Sequence, residues 1–214
     1  MISDYPNTLG TVVYHLDSHS TPFGNMRWNL YNGYYIPHSV HDGLYDAWPY
    51  TTYESQFISR QAITTDVTID MAIFGSGDTW NVSATVCVEP GGVGKDMKIW
   101  MAQILDFWGA AYLDRNGTKA GNSGVDITLA PDECATVTEV FVLDADSLAA
   151  PNNVKFFAWA QDPVFVFVPN PTPPPDGFSW AEVYQANKAL APFAGVFVDG
   201  FETEDTSRWG SVTP

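Results

Sequence analysis

The sequence predicts a mainly β fold, an antiparallel β-sandwich that follows a shorter α/β segment. From residue 63 onward apolar and polar residues alternate with a period of two, which is typical of half-buried strands. Gly- and Pro-rich turns separate the alternating stretches at short intervals, as in all-β sandwiches. Before residue 63 the pattern differs, because strand-like and helix-like stretches follow one another there.

The α/β segment is predicted to cover residues 1–62. Residues 9–16 alternate and contain β-branched side chains, which predicts a strand. Residues 23–32, between a proline and a glycine, predict a helix. Pro37 opens a short extended stretch. Residues 51–62 predict a second helix, because a Thr-x-x-Glu capping box opens it.

The sandwich is predicted to cover residues 63–168. Residues 97–105 are apolar on both faces, which predicts a central strand. The dipeptide Asp162-Pro163 interrupts the last strand. Six or seven short strands joined by Gly- and Pro-rich turns form an antiparallel sandwich. The predicted strands are residues 67–73, 79–88, 97–105, 125–129, 135–143 and 154–168.

A Pro-rich stretch follows the sandwich at residues 169–175 and predicts a stiff polyproline linker. Residues 176–214 then form a tail, with one weak helix over residues 180–190 and a strand-forming stretch at 196–198. We expect this tail to pack against the sandwich or against a second subunit. The predicted anchors of that contact are Phe197, Phe201 and Trp209.

The two cysteines, Cys87 and Cys134, are predicted to form a disulfide on the outer face of one sheet. Trp100 lies between them, as in an immunoglobulin domain, but both cysteines fall on the polar side of their strands. Cys87 ends its strand and Cys134 begins another, and neighbouring antiparallel strands bring such positions to one edge. The alternative is a pair of unrelated thiols. This alternative is less favoured in an exported protein, because disulfides form and persist in oxidising compartments.

Charge and composition exclude several classes of partner. The chain has only 9 Lys and Arg against 25 Asp and Glu, a net charge of −16, which argues against nucleic acid and anionic membranes. No apolar run reaches the ~18 residues of a membrane span. Residues 1–10 do not resemble a signal peptide, so in an exported protein the signal would lie upstream.

The histidines and a nearby aspartate of the N-terminal segment are weak candidate metal ligands, since imidazole and carboxylate suit Zn or Cu. The candidates are His15, Asp17, His19, His38 and His41. The pair at 15 and 19 follows a strand, so the helical spacing of metalloproteases is not available. Partly exposed histidines are the simpler interpretation, and we predict no metal site and no cofactor.

Aromatic residues in turns would indicate a carbohydrate-binding sandwich, and Trp108 and Tyr112 are the candidates. Asn81 and Asn116 begin glycosylation sequons, which matter only in a eukaryotic secretory pathway. The Asn116-Gly pair is equally a turn signal.

Several short motifs support a family resemblance, and they are Tyr14-His-Leu-Asp17, Gly24, Arg27, Tyr31, Ile36-Pro37, Asp42-Gly43, Tyr53…Arg60, Cys87-Val-Glu-Pro-Gly-Gly92 and Leu129-Ala-Pro-Asp-Glu-Cys134. Through them the span from about residue 9 to 168 resembles secreted bacterial proteins of the Omp28 type, in which a thioredoxin-like domain precedes an Ig-like sandwich. The resemblance implies a partial thioredoxin-like segment, a cis peptide bond at Pro37 and pairing of the two cysteines. The chain departs from thioredoxin-like enzymes because it contains no Cys-x-x-Cys, so thiol oxidoreductase activity is not implied.

A second resemblance concerns the C-terminal tail. Residues 199–209 are similar to a short Phe-Glu-x-Gly-Asp-x-Ser-x-Trp tail of exported bacterial proteins, with Glu204 in place of the usual glycine.

From these patterns we expect a non-enzymatic structural or interaction module that is extracellular, on the cell surface or periplasmic. Its partner is expected to be protein, either a second copy or a larger complex or filament. One alternative is the remnant of a thioredoxin-like redox or metal-handling protein. The other is a carbohydrate-binding β-sandwich.

Overall fold

The computed structural model describes residues 10–33, 39–47, 50–108, 116–169 and 177–191. In this part of the chain two antiparallel sheets pack face to face, and the N-terminal segment covers one of them. The mainly β fold predicted from the sequence is confirmed. None of the helices in the described ranges is both long and apolar enough to span a membrane.

Short elements make up the N-terminal part. They are α1 (Pro22–Leu30), β1 (Ser39–His41), β2 (Tyr45–Ala47), a 3₁₀ turn (Tyr50–Thr52) and α2 (Tyr53–Gln61). Helix α1 lies where the sequence predicted it, because the Thr21 hydroxyl accepts a hydrogen bond from the Gly24 N–H and caps its first turn. Helix α2 begins after the 3₁₀ turn, with Thr52 as its N-cap residue rather than the predicted capping-box threonine.

The remaining elements are β3 (Val67–Ser76), β4 (Thr79–Val88), β5 (Lys95–Leu105), β6 (Gly117–Gly121), β7 (Val125–Leu129), β8 (Cys134–Val142), α3 (Ala145–Ala149), a 3₁₀ turn (Pro151–Asn153), β9 (Val154–Gln161), β10 (Val166–Val168), β11 (Phe178–Trp180) and β12 (Val183–Leu190). One sheet has the order β3-β4-β8. The other has the order β12-β9-β5-β6, and β7 also pairs with β5.

The space between the two sheets is filled by the inward-facing side chains of both. Every second residue of β4 is buried, as the period-two pattern predicted. From the facing sheet the Phe156 ring meets the Phe141 ring with centroids 5.2 Å apart. These contacts join both sheets into one continuous apolar core.

Strand β5 is buried on both faces, as the sequence predicted for a central strand. Met101 and its neighbours on one face belong to the core between the sheets. Trp100 and Ile104 on the other face form a second cluster with Phe23 of α1. The N-terminal segment is therefore a third layer over the larger sheet.

Two predicted elements are wrong. In place of the strand predicted over residues 9–16, the described residues 10–16 make a single β-bridge, between Val13 and Gly117. Two backbone hydrogen bonds, at 3.0 and 3.1 Å, hold this stretch to the turn before β6 and to β6 itself. The helix predicted over residues 180–190 is β12, because the outer edge of β9 supplies backbone partners that outweigh a weak helix preference.

Candidate interaction surface

The disulfide lies on the outer face of the smaller sheet. Cys87 and Cys134 are cross-strand partners in β4 and β8 and are bonded to each other, the pairing predicted from the sequence. The next rows of this face carry hydroxyl pairs, with Ser83 to Thr138 at 2.8 Å and Thr85 to Thr136 at 2.9 Å. This half of the face is therefore polar.

The opposite end of the same face carries three exposed apolar side chains among polar ones. Phe74 is 82% exposed, Val140 is 52% exposed and Val142 is 63% exposed. Phe74 and Val140 lie in one cross-strand row, with Asn81 of β4 between them. We call these three residues the outer patch. The sequence contained its signal, because Phe74 is in phase with the polar side of β3.

A second exposed apolar feature is the ribbon formed by β10 and β11, called here the β10–β11 ribbon. Val166, Phe167 and Val168 are 46%, 52% and 38% exposed, although successive strand residues point to opposite faces. In the described part of the chain β10 pairs with β11 alone. The other edge of β10 is open there, and apolar side chains flank it on both faces.

Helix α1 and the residues after it hold the ribbon in place. The Ser179 N–H donates to the Tyr31 carbonyl at 2.8 Å, and the Asn32 side-chain amide donates to the Gly177 carbonyl at 2.9 Å. The Tyr31 ring also meets the Phe165 ring, with centroids 5.4 Å apart. The base of the ribbon is therefore fixed while β10 faces outward.

A buried polar network lies beneath this base. The fully buried Arg27 donates through Nη2 to the Tyr31 hydroxyl at 2.9 Å and to Gln161 Oε1 at 2.8 Å. The Gln161 amide donates to the same hydroxyl and to the Ala181 carbonyl, at 2.9 and 2.8 Å. The guanidinium also lies 4.2 Å from the centroid of the Trp100 ring. Arg27 thus joins α1 to β9, and Gln161 joins β9 to the turn before β12.

Tyr14 belongs to the same neighbourhood. Part of its ring is exposed, but its hydroxyl lies inside the protein. Removal of this hydroxyl from water raises the pKa of Tyr14 to about 12, although the nearby Arg27 acts in the opposite direction.

The predicted metal candidates are only partly brought together. His15 Nδ1 and His19 Nδ1 lie 3.8 and 3.6 Å from Asp17 Oδ1. His41 packs elsewhere, on the Tyr53 ring of α2, and burial lowers its pKa. Across the described ranges no group of three or more His, Cys, Asp or Glu residues is arranged to hold a metal ion.

The predicted sugar-binding tryptophan is surrounded by protein groups. Lys119 Nζ lies 3.7 Å from the Trp108 ring centroid, and His19 meets the ring at 4.7 Å. The indole N–H donates to Asp146, whose pKa is lowered by hydrogen bonds from Lys119 and then from Trp108. These contacts leave little of the indole face for a sugar ring.

The two sequons differ in accessibility. Asn81 is exposed on the outer face, whereas Asn116 is buried and its amide donates to the Thr11 hydroxyl. Asn116 has a φ of 55°, which agrees with the turn that its sequence predicted.

Several predictions concern residues outside the described ranges. These residues are Pro37, His38, Tyr112, Phe197, Phe201 and Trp209. Their predicted roles as a cis-proline, a metal candidate, a sugar contact and tail anchors stay predictions.

Among solved structures the chain has a distant likeness. No family model matches the chain, and no curated protein matches it. A similar solved structure is HBP35 of Porphyromonas gingivalis, with 13% identity and a TM-score of 0.47 over 67% of this chain. The chain spans 48% of the length of that protein. A likeness at this level supports no argument about function, and the Omp28-type resemblance stays a prediction.

Proposed function

We propose that this protein is a non-enzymatic exported interaction module that assembles with further copies of itself through the β10–β11 ribbon. The observation that carries the proposal is the edge of β10 that no described strand covers, flanked by Val166, Phe167 and Val168. An unpaired, apolar edge strand is a template for another strand. The partner would add to β10 by backbone hydrogen bonding and cover the three apolar side chains.

The base of the ribbon favours such a role. A two-stranded ribbon is marginally stable alone, so its conformation depends on what holds it. Tyr31 and Asn32 bind β11 and the residue before it, and the buried Arg27 fixes Tyr31. A strand that is fixed in this way loses less conformational entropy when a partner binds.

Export is the second part of the proposal. The Cys87–Cys134 disulfide lies on an accessible sheet face, and disulfides persist mainly in oxidising compartments. We therefore place the protein outside the cytoplasm, as an extracellular, cell-surface or periplasmic module. Copies that each carry a net charge of −16 repel one another. Strong self-association therefore requires apolar contacts and depends on the salt concentration, which screens the repulsion.

The alternatives have less support. The chain contains only two cysteines, and these bond to each other on a sheet face, which does not favour a thioredoxin-like redox function. The contacts around Trp108 do not favour a carbohydrate platform.

The mass of the full chain in solution tests the proposal. Sedimentation equilibrium at rising protein concentration is expected to show association at moderate salt. Val166→Lys should shift the full chain toward monomer, because a lysine on the edge strand disfavours strand addition. Val93→Lys, at an exposed valine of the turn before β5, is the matched control and should leave association unchanged. A chain that stays monomeric at every concentration would contradict self-assembly.

A further inference from the structure

A lysine amine, a carboxylate and a side-chain amide meet at one end of the larger sheet. Lys155 Nζ donates to Asp106 Oδ2 at 2.6 Å and to Asn116 Oδ1 at 3.0 Å. Asp106 is 4% exposed and Asn116 is 3% exposed, whereas the Lys155 side chain is 20% exposed. The three polar groups therefore share a largely enclosed site.

The strand pairing of the larger sheet brings these residues together. Leu105, the last residue of β5, pairs with the first residue of β6 on one side and with the first residue of β9 on the other. Asp106 comes directly after that row, Asn116 directly before β6, and Lys155 is the second residue of β9. Three neighbouring strands thus present the three groups at the same end of the sheet.

Further hydrogen bonds fix the carboxylate and the amide. The Asp106 N–H donates to the Asn153 carbonyl at 2.9 Å, and Asp106 Oδ1 accepts from the Asn116 N–H at 3.2 Å. Asn116 Nδ2 donates to the Thr11 hydroxyl, which leaves Oδ1 facing Lys155. Since a C=O bond is about 1.2 Å long, Lys155 Nζ lies within roughly 4 Å of Asn116 Cγ.

This arrangement contains the groups that amide transfer requires. A lysine attacks a carbonyl carbon as the neutral amine, and the Asp106 carboxylate is in contact with Nζ and can accept its proton. Enclosure favours the proton transfer, because removal from water disfavours charged groups. The fold also holds amine and amide side by side, which replaces a chance encounter in solution.

We propose that Lys155 and Asn116 form an intramolecular isopeptide bond, with Asp106 as the catalytic base and acid. Asp106 takes one proton from the ammonium, and the neutral Nζ attacks Asn116 Cγ and bonds to it. The proton passes from Asp106 to Nδ2, the Cγ–Nδ2 bond breaks and ammonia leaves. The new amide nitrogen gives a second proton to Asp106, which releases it to solvent, and keeps one hydrogen. The step requires no oxidant, reductant or further reactant.

The bond would join β9 to the turn before β6, across the end of β5. The Cys87–Cys134 disulfide links two strands of the smaller sheet, so the isopeptide bond would give the larger sheet a covalent link as well. This inference is independent of the assembly proposed above, which uses the β10–β11 ribbon.

Mass spectrometry of the intact, reduced full chain tests the proposal. We expect a mass below the sequence mass by one molecule of ammonia. Lys155→Arg and Asp106→Asn should each show the full sequence mass, because the first removes the attacking amine and the second removes the base. Lys98→Arg is the matched control and should keep the deficit, since Lys98 is similarly exposed and binds the Asp126 carboxylate at 2.7 Å.

Tryptic peptides of the unchanged protein locate the bond, even if a variant does not fold. Trypsin does not cleave after an acylated lysine, so residues 120–188 should stay one peptide, joined to residues 116–119. The Asn116-Gly117 pair can also lose ammonia by closing a succinimide on its own backbone. A deficit that survives Lys155→Arg would indicate that reaction and overturn the proposal. A full sequence mass of the unchanged protein would overturn it as well, and a deficit that survives Asp106→Asn would overturn the role of the carboxylate.

Discussion

Arg27 shows how one buried residue joins two elements, helix α1 and strand β9. A buried guanidinium is costly unless its N–H groups are bonded and its charge is compensated. Here the hydrogen-bond partners are a hydroxyl and an amide oxygen, and the aromatic ring of Trp100 supplies a cation–π contact. In the described part of the chain no carboxylate pairs with this guanidinium, and these uncharged groups are its partners.

Replacement of Arg27 should destabilise the protein strongly. We expect Arg27→Ala to lower the free energy of unfolding by roughly 3 kcal/mol or more, because it leaves a cavity and removes the donor that binds the buried Gln161 Oε1. Arg27→Met restores most of the volume and should lose about half as much. Urea unfolding measures both, and a change below about 0.5 kcal/mol for the alanine variant would show that the network is dispensable.

Tyr14 should make the protein sensitive to alkali. Its pKa is about 12 in the folded state against an ordinary value of 10.0, so the folded protein holds the proton more tightly than the unfolded chain. This contribution to stability is fully present below pH 10 and is lost as the pH rises from 10 to 12. Tyr14→Phe should reduce the fall in the free energy of unfolding between pH 10 and 12. An unchanged profile in urea unfolding would contradict the assignment.

At the scale of elements, the smaller sheet combines a long ladder with a covalent link at its end. β4 and β8 pair from Thr79 opposite Val142 to Cys87 opposite Cys134. The disulfide therefore adds no new contact to a face that backbone hydrogen bonds already join. Its effect is expected mainly on the unfolded chain.

Removal of the disulfide should lower stability without changing the fold. The link closes a loop of 47 residues, for which the chain-entropy model gives about 4 kcal/mol. We expect Cys87→Ser with Cys134→Ser to lose about that amount in urea unfolding and to keep the native circular dichroism. An equal stability of the oxidised and reduced proteins would show that the link is not structural.

At the scale of the whole molecule, the last strand closes the larger sheet. β12 covers the edge of β9, and Asn187 joins it to β3 of the other sheet. Gln161 also depends on the Ala181 carbonyl just before β12. The stretch expected from the sequence to be a helical tail is thus part of the sandwich.

Two truncations should therefore behave differently. A chain ending at Ala191 keeps every described strand and should unfold cooperatively. A chain ending at Pro169 loses β11 and β12, which exposes the edge of β9, and should aggregate or melt without a clear transition. Circular dichroism melting and solubility compare the two. Similar behaviour of both chains would contradict a structural role for β12.

The sequence by itself determined the elements whose pattern is set locally. The period-two alternation of β3 and β4 and the double-sided apolar pattern of β5 predicted strands that the structure contains. The phase of the two cysteines predicted their pairing, because side-chain direction in a strand follows directly from position. Helix α1 followed from its flanking proline and glycine.

Only the tertiary structure decided the features that depend on distant partners. Nothing local in Val183–Leu190 requires a strand, and the open edge of β9 made it one. The grouping of Arg27 with Gln161 joins residues 134 positions apart, which no sequence period encodes. The exposure of the β10–β11 ribbon is also a tertiary property, because Phe167 looks like an ordinary strand residue until its uncovered face is known. A local sequence pattern indicates the direction of a side chain, whereas tertiary packing determines which residues that side chain contacts.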